Sequence, residues 1–465
     1  MSRKKGKKKV IFVILLSLVI LGGTGGYFGY NYYKKYIVAP KPSIENISIN
    51  DNNELVIKYS VEDYKKYKDI YCLFNTDGTT PSVNDKNWKL AENNECSTLL
   101  DDKVYYGFLK NYDGKITIIK DASEYGKITK LEVSKEKIYV AKNGVYNLTA
   151  TSEKIGNVTD TLKWTSEDES IAKVDETGKV TGVKIGTTKV SAQINGVKKD
   201  VEVMVTDLIT VRPKSYDYKK KYLGCNMYTK EQNDLLDEIL KDRINDAGYK
   251  TRAGAVEAAR FLVLEFPYKL SYFYENGRQT TNNVDGEGRY YHEGLYLHES
   301  RYSNITGSKT GPETWGCPLY CNPGKRYIDN GLDCSGYVSW ALLNAGFDVK
   351  DVGAGFSNKL DLTDYGDVVK FNDEIINSGK IKVGDLVHSE HSGGHIGMII
   401  GIDEDWFYIA QALWNDAPTS LTKKEENVMA VQITKYGYKE IQNVLPDLVL
   451  MDKYYIEDGN LTSMW

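Results

Sequence analysis

Apolar and polar residues alternate in short runs from about Ile44 to Ile118, as in ELVIKYSV at 54–61 and KITIIK at 115–120. A period of two places one side of each run in a core, and the turn signals NTDG and NYDG separate the runs. The pattern predicts a small β-sandwich over 40–122. A second strand-rich stretch follows over 126–207. After Asp207 the period becomes helical: Leu235, Leu236, Ile239, Leu240 and Ile244 share one face of 229–248, with Thr229 placed to cap the start and Gly248 the end. We read 208–250 as a helical linker. A further helix is predicted from Arg252 to Phe266, stopping before Pro267. In GLDCSGYVSWALLNAG (331–346), Val338, Ala341, Leu342 and Ala345 form a third helical stripe that Gly346 closes. Three short strands are predicted beyond it, at about 385–388, 395–402 and 407–412.

The N-terminus breaks this pattern. An uncharged run extends from Val10 to Tyr33, with a strongly apolar core VIFVILLSLVIL, behind six positive charges at Arg3, Lys4, Lys5, Lys7, Lys8 and Lys9. Only Lys34 and Lys35 follow closely. Length and charge asymmetry predict a transmembrane helix over 10–33, with residues 1–9 as a cytoplasmic tip and the rest of the chain outside the cell. The expected location is the cell membrane, crossed once. A cleaved signal peptide is the alternative, but no good small-x-small site follows the apolar core, and Ala39 is followed by Pro40, a poor context for cleavage. Gly22, Gly25, Gly26 and Gly29 make two GxxxG spacings, a candidate homodimer face.

Composition adds one distinction. The 465 residues carry a formal net charge of −4, yet 1–36 hold eight Lys/Arg and no acid, leaving 52 basic against 64 acidic groups elsewhere. A nucleic-acid partner for the bulk of the chain is excluded on that balance. Cys72 and Cys96 fall in the first β segment, and an oxidising compartment makes a disulfide between them the leading reading; two unpaired buried thiols are the other.

Within 126–207, Trp164-Thr165-Ser166, Ala172-Lys173-Val174-Asp175 and Gly178-Lys179-Val180-Thr181-Gly182 resemble the bacterial group 2 immunoglobulin-like repeat. Ile171, Val174, Val180 and Val183 supply its expected inward positions. The resemblance implies a spacer or adhesive module, and the segment contains neither His nor Cys.

Candidate chemistry lies further on. Asp333 sits at a helix N-cap, which puts Cys334 in the first turn, where backbone N–H groups and the helix dipole favour a thiolate. His395 opens the middle predicted strand after Gly393 and Gly394, and Gln411 lies on the next, where its amide can orient an imidazole. Nucleophile, base and orienting group come from one helix N-terminus and two adjacent strands.

Asp333-Cys334-Ser335-Gly336, Lys382-Val383-Gly384-Asp385-Leu386-Val387 and His395-Ile396-Gly397-Met398-Ile399-Ile400-Gly401 together resemble the NlpC/P60 family over roughly 250–440. The resemblance implies an α+β papain-like catalytic domain over 251–450, and a cysteine peptidase that cuts peptidoglycan stem peptides between D-glutamate and the diamino acid. It implies Cys334 as nucleophile, His395 as base and Gln411 as the third polar residue, with no cofactor. Asp333, Ser335, Tyr268 and Trp315 are candidate substrate-binding residues, the last two because Pro267-Tyr268 and Trp315-Gly316 look like separated pieces of a family motif. The expected fold class is therefore a multidomain chain: transmembrane helix, two β-sandwich (Ig-like) domains and the α+β domain. The expected partners are stem peptides and the cytoplasmic membrane.

Two other readings use the same residues: an N-acetylmuramoyl-L-alanine amidase with the same Cys/His pair, or a surface adhesin or assembly factor with a vestigial hydrolase fold. His388 and His391 are expected in a solvated loop, and His292 and His298 at the surface. Cys317 and Cys321 could join each other, pair with Cys225, or bind metal.

Overall fold

The computed structural model describes residues 26–30, 39–61, 68–119, 124–216, 230–267, 332–347, 362–390, 394–413 and 430–465. Seven strands make the first β domain: β1 Ser43–Ile49, β2 Glu54–Ser60, β3 Ile70–Asn75, β4 Lys89–Leu90, β5 Glu95–Leu99, β6 Tyr106–Asn111 and β7 Ile116–Ile119. They form two sheets, ordered β1-β2-β5 and β4-β3-β6-β7. Leu55, Ile57, Ile70, Leu109 and Ile119 close the core between them, as the period-two pattern requires.

The second β domain holds β8 Gly126–Val133, β9 Lys137–Ala141, β10 Val145–Asn147, β11 Ala150–Gly156, β12 Lys163–Ser166, β13 Ala172–Val174, β14 Lys179–Gly182, β15 Gly186–Ile194 and β16 Val197–Thr206. Its main sheet runs β12-β15-β16-β9, with β9 parallel to β16. Ile138, Trp164, Ala172, Val180, Val190 and Val203 fill its core. Ile171 and Val174 pack against that core. Val183, expected inward, is exposed, because it lies one residue past β14, where the alternation of the strand no longer holds.

The C-terminal part is a six-stranded sheet, β17 Asp367–Lys370, β18 Leu386–Ser389, β19 His395–Ile402, β20 Trp406–Leu413, β21 Ala430–Gly437 and β22 Asp447–Leu450, ordered β17-β22-β18-β19-β20-β21 and antiparallel at every pairing. Helices α1 Lys230–Ala247, α2 Arg252–Arg260 and α3 Cys334–Asn344 share one core with Leu386, Ile396, Met398, Ala410 and Ala412 on one face of that sheet. The shorter helices α4 Asp373–Asn377 and α5 Tyr438–Val444 meet its other face, at Val387, Ile399, Phe407 and Leu448.

Three further expectations change. The predicted Arg252–Phe266 helix is α2 followed by a π turn, Phe261–Glu265, closed by Phe266 N–H on the Phe261 carbonyl at 2.8 Å. The disulfide between Cys72 and Cys96 is not formed: both are free, buried thiols. They lie on β3 and β5, in different sheets, and hydrogen-bond to each other. That contact pushes the Cys96 thiol up, with burial adding to the rise, and holds the Cys72 thiol below its ordinary value against the opposing effect of burial.

The transmembrane helix over 10–33 is the third. The described protein is mostly β-sheet with few helices, and no helix among the described residues is long and apolar enough to cross a membrane. Of 10–33, only 26–30 is described, as a helical turn; the remainder lies outside the described residues. Gly22-Gly23-Thr24-Gly25-Gly26 interrupts the apolar run after Leu21, leaving a 12-residue apolar core where a span needs about 20 residues, and each glycine costs a helix about 1 kcal/mol. The longest described helix, α1, has 18 residues but carries charges throughout.

Candidate active site

Asp333 caps α3. Its backbone is extended and its Oδ1 accepts from Gly336 N–H at 2.7 Å and from Ser335 Oγ at 3.0 Å. These polar atoms of Asp333 and Ser335 are thus engaged in fixing the helix start, and Cys334 is the first helical residue. The cysteine is 5% exposed and belongs to the core cluster that includes Ile396, Ala410 and Ala412. Tyr337, one turn on, donates its hydroxyl to the Ala259 carbonyl of α2 at 2.7 Å. The helix is therefore held at both its cap and its buried face, across β19 and β20.

His395 begins β19 and Gln411 lies near the end of β20. His395 Nε2 and Gln411 Oε1 are 2.7 Å apart. An amide oxygen only accepts, so Nε2 carries the proton and Nδ1 is left as the basic nitrogen. Burial lowers the imidazole pKa, the Gln411 hydrogen bond opposes that fall, and nearby His388 adds to it. Gln411 is fully buried. Its Nε2 donates to Tyr436 Oη on β21 at 3.2 Å.

Gly397 makes the His–Gln approach feasible. A Cβ there would lie 2.7 Å from Ile409 Cγ2 and 3.1 Å from Gln411 Cβ. This gives the glycine of His395-Ile396-Gly397 a packing reason. Further along β19 the pairing slips between Ile399 and Gly401, and the Ile400 carbonyl in that bulge is taken by Arg260, through Nε at 3.1 Å and Nη2 at 2.7 Å. Arg260 thereby ties the strand that begins with His395 to α2.

Asp385, in the Gly-Asp-Leu stretch, is buried. It accepts from Arg252 Nη1 at 2.8 Å, Lys382 N–H at 2.8 Å and Met451 N–H at 2.9 Å. Burial raises its carboxyl pKa against those donors. It holds the entry to β18 together, and has no direct part in the His–Gln pair.

The direct contact in this site is that of His395 with Gln411; Cys334 packs in the core cluster with Ile396, Ala410 and Ala412. Tyr268 and Trp315 lie outside the described residues, as do Cys225, Cys317, Cys321, His292, His298 and His391. His388, expected in solvent, is buried on β18, with Nδ1 at 3.6 Å from Asp447 Oδ2. The strand runs through Ser389 and carries it inward. Tyr436 is the contributor that sequence reasoning missed. Its only sequence signal is the alternation of VQITKYG, which puts Tyr436 on the same side of β21 as Gln432, the partner of Gln411 across the ladder.

Residues 127–205 match the bacterial Ig-like domain (group 2). This segment is a bacterial Ig-like domain. An α-L-arabinofuranosidase of Bifidobacterium longum subsp. longum is 29% identical over 162 residues, which is 34% of this chain and 14% of that enzyme. Among solved structures, domains 5–6 of the S-layer protein SbsC are similar at 17% identity over 22% of this chain and 57% of that one, with a TM-score of 0.17. The C-terminal fragment of intimin, solved with the intimin-binding domain of its translocated receptor, is similar at 16% identity over 44% of this chain and 78% of that one, with a TM-score of 0.27. The Ig-like domain matched here contributes none of the residues of the candidate active site.

Proposed function

We propose that this chain is an extracellular cysteine peptidase of the cell wall, of the NlpC/P60 kind, cutting peptidoglycan stem peptides between D-glutamate and the diamino acid. The observation that carries the reading is the 2.7 Å contact of His395 Nε2 with Gln411 Oε1, which leaves Nδ1 as the base. Cys334 in the first turn of a capped helix supports it from the other side.

In the proposed reaction His395 Nδ1 takes the thiol proton and Cys334 Sγ attacks the peptide carbonyl carbon. The oxyanion is met by backbone N–H at the start of α3, that of Cys334 included. The imidazolium returns its proton to the leaving amine, and His395 then takes a proton from the water that hydrolyses the thioester. Gln411 keeps the ring in the tautomer each step requires. The Ig-like domain serves as a spacer in this reading, since it brings neither His nor Cys.

The test is digestion of purified peptidoglycan by the protein and by Cys334→Ala, with the fragments read by mass spectrometry. The reading expects new D-glutamyl termini from wild type and none from the variant. Release at the wild-type rate by Cys334→Ala overturns it, and cleavage at the lactyl–alanine bond would make the enzyme an amidase.

A further inference from the structure

We propose that Tyr436 is a positioning residue for the site, its buried hydroxyl fixing the Gln411 amide in the one orientation that serves a protonated His395 Nε2. The proposal deepens the hydrolase reading above and rests on it for its kinetic arm. A glutamine amide has one accepting end and one donating end. Here the oxygen faces His395 at 2.7 Å and the nitrogen faces Tyr436 Oη at 3.2 Å. Gln411 is fully buried and Tyr436 sits in the cluster with Phe407, Ile409 and Ile441, so without the phenol the buried amino group loses that acceptor. Turning the amide over would present N–H groups to His395 and select the tautomer protonated at Nδ1, which has no lone pair there for the thiol proton. The phenol thus acts on the base through the amide, across three strands, β19, β20 and β21. Burial keeps the Tyr436 hydroxyl protonated by raising its pKa.

The experiment is nitrogen-15 NMR of the histidine rings in the full chain, with His395 assigned by its loss in His395→Asn. Wild type is expected to show His395 protonated at Nε2 alone, and Tyr436→Phe a mixture of tautomers. In the kinetic arm, Tyr436→Phe is expected to lower kcat roughly tenfold, the loss that follows from one unpaired buried amide group, with KM unchanged. It should cost nothing further in a Gln411→Ala background, because the hydroxyl acts only through that amide. An unchanged tautomer in Tyr436→Phe, or full additivity with Gln411→Ala, overturns the proposal. Should Tyr436→Phe not fold, the wild-type side-chain amide of Gln411 decides: slowed hydrogen exchange supports the contact, and the rate of a free amide overturns it. If wild type cuts no wall fragment, the hydrolase reading fails while the tautomer measurement still judges Tyr436.

Discussion

Nε2 of His395 points at Oε1 of Gln411 from 2.7 Å away, an acceptor that can hold only a protonated nitrogen. Two opposing influences meet at that ring: burial, which lowers its pKa, and the glutamine, which raises it.

Removing the glutamine should therefore let burial act unopposed. In Gln411→Ala the His395 pKa is expected to fall below its wild-type value, read by NMR titration of the ring. The sign for stability follows. A histidine whose folded pKa is depressed gives stability that is present above the unfolded value, about 6.5, and is lost as pH falls through the folded value. Acid unfolding of wild type should carry this term, and His395→Gln should remove it, so that the two urea midpoints converge above about pH 7 and separate below it.

Gly397 gives a steric prediction at the same place. Alanine would put its Cβ 2.7 Å from Ile409 Cγ2 and 3.1 Å from Gln411 Cβ. One of β19 and β20 must shift, and the His–Gln distance shifts with it. Gly397→Ala is expected to lower wall-fragment release at least tenfold, in line with what small misplacements cost a catalytic group, while far-ultraviolet circular dichroism stays that of wild type.

Much of this site was legible in the chain itself, because its signals are local. Asp333 before an apolar stripe gave a cap, and the strands expected at 385–388, 395–402 and 407–412 are observed at Leu386–Ser389, His395–Ile402 and Trp406–Leu413. What escaped depends on partners distant in sequence. Tyr436 reaches Gln411 only once β21 pairs with β20. His388 looked solvated among polar neighbours, but the sheet buries it. Cys72 and Cys96 are the two unpaired buried thiols of the second reading rather than the disulfide of the first, in one core but on strands of different sheets. The apolar run at the N-terminus had the composition of a span, but a glycine cluster shortens its core. Glu257 and Glu265 are buried against three arginines, of which Arg212 and Arg243 come from outside the helix that carries Glu257.

Those arginines lead to a stability prediction. Arg212, in the segment following the Ig-like domain, meets Glu257 at 2.5 Å and Glu265 at 2.6 Å; Arg243 meets Glu265 at 3.2 Å and Arg260 meets Glu257 at 2.9 Å. Burial raises both carboxyl pKa values, and the arginines more than reverse it, so each ends below its ordinary 4.5. Arg212→Ala leaves both acids short of a partner in a buried site, which should cost about 3–5 kcal/mol in urea unfolding at neutral pH. Depressed carboxylates give stability present above about pH 4.5 and lost as pH falls through their folded values. The variant, with those values raised, should lose less on acidification than wild type does.

Gly178 in the Ig-like domain is fixed by its backbone. Its φ is +86°, and a Cβ would meet the Leu148 carbonyl oxygen at 2.4 Å and Trp164 Nε1 at 3.0 Å. The same turn uses that approach: Leu148 N–H donates to the Gly178 carbonyl at 2.9 Å, joining the hairpin of β13 and β14 to the strand edge at 148. Gly178→Ala must then pay both for a left-handed backbone and for a displaced carbonyl, about 1–3 kcal/mol for the strain alone. Hydrogen exchange in the full chain is the suitable measure, because it resolves the two regions. Protection in β9, β14 and β16 is expected to fall, while protection in β18 to β20 holds, since Gly178 packs only within the core of its own domain. Equal loss in both regions would mean that the Ig-like domain and the six-stranded sheet unfold together, coupled through α1, whose Asp242 pairs with Lys135 at 2.8 Å and whose Arg243 donates to the Tyr139 carbonyl at 2.9 Å.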